Sequence, residues 1–165
     1  MRSRARSLAP LAGALLALST LAGCGGGSGP LTKAEFISKG DQICKSAHDQ
    51  FVQAQKHSPT TADEAVALTQ QLINISESEL SQIRGLNAPS EVQPALDRYL
   101  SAREQGIAIL RKGLSAAQNG NPQAYAAAQA EITKTQVKRL KLARKVGFHE
   151  CSRPVGTASS TGQSG

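Results

Sequence analysis

Two cysteines with neighbouring histidines are the residues whose types and spacing could do chemistry in this chain. Cys44 is followed four positions later by His48, and His149 precedes Cys151 by two positions. Two thiolates and two imidazoles make a plausible zinc ligand set if the two segments meet, whereas the two thiols alone could form one disulfide. The choice between these chemistries depends on the compartment of the protein, which the start of the chain indicates.

The first 24 residues have the three parts of an export signal. Three arginines lie within the first six residues, an apolar run extends from Leu8 to Ala22, and the small residues Ala22 and Gly23 precede Cys24. This order is typical of a cleaved signal peptide. The run of 15 residues is shorter than the ~20 that a membrane-spanning helix needs, so cleavage is expected rather than an uncleaved helical anchor.

The segment Leu21-Ala22-Gly23-Cys24 resembles the lipobox of bacterial lipoproteins at all four positions. The resemblance implies that residues 1–23 are removed and that Cys24 carries a diacylglyceryl group. Two acyl chains hold a protein stably, because each buried CH₂ contributes ~0.8 kcal/mol. We therefore expect a protein that is lipid-anchored to the extracytoplasmic face of the cell membrane.

Removal of the signal changes the charge balance of the chain. It takes away three arginines and no acid, so 16 of the 19 basic residues remain against 12 acidic ones, and the formal charge falls from +7 to +4. With three Phe, two Tyr and no Trp, the chain offers few stacking platforms, and nucleic-acid binding is not expected. Residues 24–30 are predicted to be a Gly-rich tether, 31–153 a helical domain and 154–165 a disordered tail.

Apolar residues at helical spacing predict four amphipathic helices in the domain. Capping boxes begin the first helix at Thr32, with Glu35, and the second at Thr61, with Glu64. The first helix is expected to extend to about Lys56. Because the connections are short and nothing indicates a strand, the predicted fold is all-α: an antiparallel up-down-up-down four-helix bundle.

Local signals also predict how the later helices begin and end. Gly85 is expected to end the second helix in the left-handed conformation of a Schellman motif. Ser90 and Gln93 could form a third capping box, and Asn121 should cap the fourth helix, with proline at its first position. Gly147, followed by Phe148, predicts a second Schellman-like ending.

An exported protein with Cys24 lipidated retains two cysteines, which predicts a Cys44–Cys151 disulfide. The bundle places the start of the first helix and the end of the fourth together, and the turn at Gly147 can lead the chain back towards Cys44. A metal site built from Cys44, His48, His149 and Cys151 remains the alternative. It is less expected because exported thiols tend to oxidise, so no metal is assigned and the histidines are placed at the surface.

Four lysines share one narrow sector of the fourth helix, opposite its apolar face. No acidic residue occurs between Ile132 and His149. A solvated face is the ordinary interpretation of such a run, and attraction to an anionic surface is the functional one. The four residues are Lys134, Lys138, Lys141 and Lys145.

Arg103 and Arg139 interrupt the apolar faces of their helices, so each is expected to reach the bundle edge or to pair with a carboxylate such as Glu79. The chain lacks the Glu-x-x-His pairs of di-metal bundles, a Gly-rich phosphate loop and a His-Glu-x-x-His motif,. We therefore expect no catalytic residues, no cofactor and no enzymatic activity.

The capped start Leu31–Phe36, the segment Asp41–Cys44 and the final Gly147-Phe148-x-x-Cys151 resemble small helical lipoproteins and secreted proteins of actinobacteria. The resemblance implies an extracytoplasmic location and a helical fold, and it assigns no catalytic residue. The sequence thus predicts a non-enzymatic module that binds a protein or an envelope polymer. The alternative is a carrier of a small ligand or metal that uses the bundle interior or the Cys/His set.

Overall fold

The computed structural model describes residues 29–154. Four helices follow one another: α1 (Lys33–Ala54), α2 (Ala62–Arg84), α3 (Gln93–Gln118) and α4 (Pro122–Val146), with a 3₁₀ turn at Glu150–Ser152. Helix α2 packs on α1 and α3, and α3 packs on α4. The described residues contain no strand. The predicted all-α four-helix bundle is confirmed. The predicted signal peptide, the lipobox, most of the tether and nearly all of the tail lie outside the described residues.

Both predicted capping boxes at the starts of α1 and α2 are present. The Thr32 hydroxyl accepts the Glu35 N–H at 3.3 Å, and the Glu35 carboxylate accepts the Thr32 N–H at 2.9 Å. Thr61 and Glu64 repeat the arrangement at 3.2 and 3.3 Å. Each box therefore provides partners for two backbone N–H groups that have none within the helix.

The predicted Schellman ending at Gly85 is wrong. Gly85 is right-handed, with φ −70° and ψ −11°, and its N–H still donates to the Ser81 carbonyl. Leu86 packs against the core without the left-handed turn, and Asn87 then accepts the Leu31 N–H at 2.8 Å. The chain after α2 is therefore held by the hydrogen bond between Asn87 and Leu31, and not by a left-handed glycine.

The predicted capping box of Ser90 and Gln93 is also wrong. Helix α3 begins at Gln93, and its N-cap is Val92, which makes no side-chain capping bond. Val92 is buried in the core, so the helix starts after it and Gln93 takes the first helical position instead of the third. Pro94 lies in the first turn, where the missing N–H costs no helical bond,.

Both ends of α4 are as predicted. The Asn121 side chain accepts the Ala124 N–H at 3.0 Å, ahead of Pro122 at the first helical position. Gly147 is left-handed with φ 105°, and the Phe148 N–H donates to the Ala143 carbonyl at 3.1 Å. This ending reverses the chain and directs it back along α1.

Three apolar clusters form the core. The largest lies where α1 and α4 meet the α2–α3 connection and includes Phe36, Ile83, Leu96, Val146 and Phe148. A second cluster joins α1 to α2, and a third joins α2 to α3. Within residues 29–154, no helix has both the length and the apolar character that crossing a bilayer requires.

Candidate functional site

The structure joins Cys44 and Cys151 in a disulfide, as predicted. Their Cα atoms are 5.0 Å apart and 107 positions apart in the chain. The Asp41 carboxylate holds the returning segment, because its Oδ1 accepts the backbone N–H groups of His149 and Glu150 at 2.9 and 2.8 Å. In the chain-entropy description, a crosslink of this span stabilises the fold by up to about 4 to 5 kcal/mol.

The histidines of the alternative metal set do not join the sulfurs. His149 is exposed, and His48 is only partly buried. In the described part of the chain, the potential ligand atoms that lie within 4.8 Å of one another belong to Cys44, Glu79 and Cys151. With both sulfurs in a disulfide, this group offers one carboxylate and no thiolate, which does not match the thiolate-rich zinc set considered from the sequence.

Next to the disulfide, Glu79 is the centre of a buried charge network. Its carboxylate accepts a charge-assisted hydrogen bond from Arg103 and another bond from the Tyr99 hydroxyl, at 3.2 Å. The side chains of Arg103 and Glu79 are only 5% and 6% exposed. Cys44 Sγ lies 3.6 Å from Glu79 Oε1. The predicted pairing of Glu79 is confirmed for Arg103, whereas Arg139 forms no ion pair within residues 29–154.

Tyr99 is the member of this network that the sequence reasoning missed. It precedes Arg103 by four positions, so both side chains lie on the same face of α3,. That spacing could have identified it as a second donor to the same carboxylate. Burial, followed by the charge of Glu79, raises the pKa of the Tyr99 hydroxyl, so the tyrosine stays protonated and can donate to Glu79,.

Arg139, on α4, approaches the same centre and is partly buried. Desolvation, followed by repulsion from Arg103, lowers the pKa of its guanidinium to about 10. This value is still far above neutral pH, so Arg139 remains positively charged. The centre of the bundle therefore contains two guanidinium groups and one ion-paired carboxylate, Glu79.

The four lysines of α4, here called the lysine row, are all exposed. None of them forms an ion pair with an acid between residues 29 and 154. Elsewhere on the surface, exposed cations do pair with carboxylates, as Lys45 does with Asp49 at 2.8 Å. The lysine row is thus a basic strip without ion pairs on the outer side of α4, and Asp97 of α3 lines the same groove as Lys138. Its members are Lys134, Lys138, Lys141 and Lys145.

Comparison of the chain with known protein families, curated proteins and solved structures finds no match. The resemblance to actinobacterial lipoproteins stays a prediction from the sequence. The described residues offer two features of their own for function: a disulfide-braced charge network inside the bundle and a basic strip outside it.

Proposed function

We propose that the chain is a lipid-anchored, extracytoplasmic helical module that acts by binding and not by catalysis. Its partner in this proposal is an anionic protein or envelope polymer that contacts the lysine row. The observation that supports the proposal is the exposure of all four lysines on one side of α4 without an acidic partner among residues 29–154. The lipid anchor rests on the match of Leu21–Cys24 to a lipobox.

The spacing of the lysine row suits an extended anion. Its positions follow one another at intervals of four, three and four residues, so the charges form a line of about 16 Å along α4. Like charges at these spacings repel each other weakly in the free protein. A polyanion would remove that repulsion, and each lysine near an anionic surface contributes about 1 kcal/mol.

The lipid anchor would strengthen such binding. A tether holds the domain within reach of the envelope, so the second contact is made at a high effective concentration. Contacts that are weak in solution then become sufficient to hold and orient the domain. A small-ligand site in the bundle interior is the second candidate function, because two arginines lie there beside a single carboxylate.

The test compares binding to anionic probes by two variants of equal charge. The mature chain, residues 24–165 with Cys24→Ser to prevent lipidation, is mixed with phosphatidylglycerol vesicles and with anionic wall polymer. One variant replaces the lysine row by Gln. The matched control replaces four other exposed lysines that form no ion pair in the described part of the chain: Lys33, Lys39, Lys56 and Lys112.

The chain with the unmodified lysine row should bind at least one of the two probes. This binding should weaken as the salt concentration rises, because the Debye length falls from ~10 Å at 0.1 M to ~3 Å at 1 M. The lysine-row variant should lose this binding and keep its melting temperature, whereas the matched control should retain most of it. Equal loss in both variants would show a response to net charge alone. That result, or no binding by the parent chain, would overturn the proposal.

A further inference from the structure

A cavity of about 220 Å³ lies between all four helices, beside the buried charge network. The cavity is partly open to solvent, and its walls are of three kinds. Five uncharged polar side chains contribute to them: Gln55, Ser76, Gln129, Thr133 and Gln136. Apolar side chains come from α1, α2, α3 and α4, among them Phe51, Leu72, Leu110 and Ile132. The charged groups of the wall are Arg103 and Arg139, and no carboxylate is part of it.

The first sign that this cavity suits a ligand is an unsatisfied donor. Arg103 is 5% exposed, and its Nε is buried without a hydrogen-bond partner, although another nitrogen of the same guanidinium binds Glu79. A buried donor without an acceptor is destabilising, and more so when it is charged. Nε is covered by protein atoms, so a ligand acceptor would satisfy it only with a shift of the wall around Arg103, which lines the cavity.

The second sign is the charge balance. Glu79 is ion-paired with Arg103 and also attracts Arg139, which forms no ion pair of its own among residues 29–154. One carboxylate therefore faces two guanidinium groups, and the excess positive charge is unfavourable in a medium of low dielectric constant. An anion bound in the cavity would balance this excess.

The third sign is a glycine in the middle of α3. Gly106 lines the cavity, and a Cβ built on it would meet no atom within 4 Å. Glycine inside a helix is destabilising relative to alanine, and no neighbouring atom requires it here. In contrast, a Cβ at Gly40 would meet the Phe148 ring. The effect of Gly106 is to keep the cavity open.

We propose that this interior cavity binds a small amphiphilic anion, a carboxylate with a short apolar body. The carboxylate would accept hydrogen bonds from Arg103 Nε and Arg139, and the body would pack against the apolar wall. Charge-assisted bonds of this kind are among the strongest in proteins. The volume equals that of about seven liquid waters, which sets the ligand at on the order of eight non-hydrogen atoms.

The probe is hexanoate, which matches this size and chemistry. Titration calorimetry and thermal unfolding are carried out on the mature chain, residues 24–165 with Cys24→Ser, with neutral hexanol and inorganic phosphate as comparison ligands. Hexanoate should bind and raise the melting temperature, because a ligand that binds only the folded state stabilises it. Hexanol lacks the charge and phosphate lacks the apolar body, so both should bind at least about tenfold more weakly.

Three variants locate the site. Arg139→Gln should weaken hexanoate binding at least about tenfold without lowering the melting temperature of the free protein, because it removes a desolvated cation that forms no ion pair within residues 29–154,. Gly106→Leu should fill the cavity and abolish binding while the fold is retained. Arg144→Gln, an exposed arginine of the same helix, should leave binding unchanged.

The proposal is overturned if hexanoate does not bind, or if hexanol or phosphate binds as well as hexanoate. It is overturned equally if Arg139→Gln or Gly106→Leu retains full binding in a folded protein. This inference rests on the second candidate function, the ligand site in the bundle interior. Because none of these substitutions lies in the lysine row, its failure would leave the binding proposed for that surface untouched.

Discussion

Glu79 is the residue on which the interior of this bundle depends. Its carboxylate is bonded to Arg103 and Tyr99, and it lies beside the sulfur of Cys44. Buried ion pairs rarely add net stability over apolar residues of similar size, because desolvation offsets the attraction. Removal of one partner is different, since it leaves the opposite charge buried and unpaired. The Glu79 carboxylate is therefore required to accommodate Arg103.

Replacement Glu79→Gln should destabilise the fold by about 3 to 5 kcal/mol, because two arginines would then lack any counter-charge at the centre of the bundle. Urea unfolding measures the difference. The matched control is Glu77→Gln on the same helix, which removes the exposed ion pair with Arg111. Exposed pairs contribute about 0 to 1 kcal/mol, so the control should remain near the parent. Equal effects of the two substitutions would contradict the role given to Glu79.

The sequence predicts part of this network and not the rest. Charged residues inside apolar stripes must find partners, so Arg103 and Glu79 could be paired before their positions were known. Whether Arg103 or Arg139 would bind Glu79 depends on how α2, α3 and α4 converge, which no local signal records. The cavity beside them could not be predicted from the sequence either, because its shape is the space that four packed helices leave open.

At the scale of elements, close packing of α1 against the segment after α4 depends on one glycine. The Phe148 ring lies over Gly40, where an added Cβ would be only 2.7 Å from Cζ. The ring cannot easily move, because it is fully buried between Phe36 and Tyr99, with centroid separations of 5.4 and 5.8 Å. Gly40 thus allows the reversed chain to approach α1 closely enough for the disulfide.

Two glycine-to-alanine substitutions should have opposite effects on stability. Gly40→Ala should cost about 1 to 3 kcal/mol, because overpacking exceeds the gain in helix propensity. Gly106→Ala meets open space, so it should gain up to about 1 kcal/mol. Chemical unfolding of both variants measures these differences. A Gly40→Ala protein as stable as the parent would show that the Phe148 ring can adjust.

Helix boundaries were predictable where the determinant was local. The boxes at Thr32 and Thr61 and the ending at Gly147 depend on residues within one turn, and all three are confirmed. The start of α3 is set instead by burial of Val92, and the end of α2 by the contact between Asn87 and Leu31. Both are tertiary effects, which explains why the predictions at Ser90 and Gly85 are wrong.

On the scale of the whole molecule, the disulfide encloses nearly all of the described domain and joins the segment after α4 to α1. A covalently braced bundle suits an oxidising compartment, in agreement with the export signal expected from residues 1–24. The lysine row lies on the outer side of α4, and the arginine-lined cavity lies between the helices. The two proposed sites share no residue.

The most direct test of the central claim is metabolic labelling with palmitate in a bacterial host that processes lipoproteins. The parent chain should incorporate the label and lose residues 1–23, because the diacylglyceryl group is predicted to be attached to Cys24. The control with Cys44→Ala and Cys151→Ala retains Cys24 and should still be labelled, which excludes labelling of the other thiols. The Cys24→Ala chain should be neither labelled nor cleaved by the lipoprotein peptidase; unchanged labelling of that variant would contradict the account.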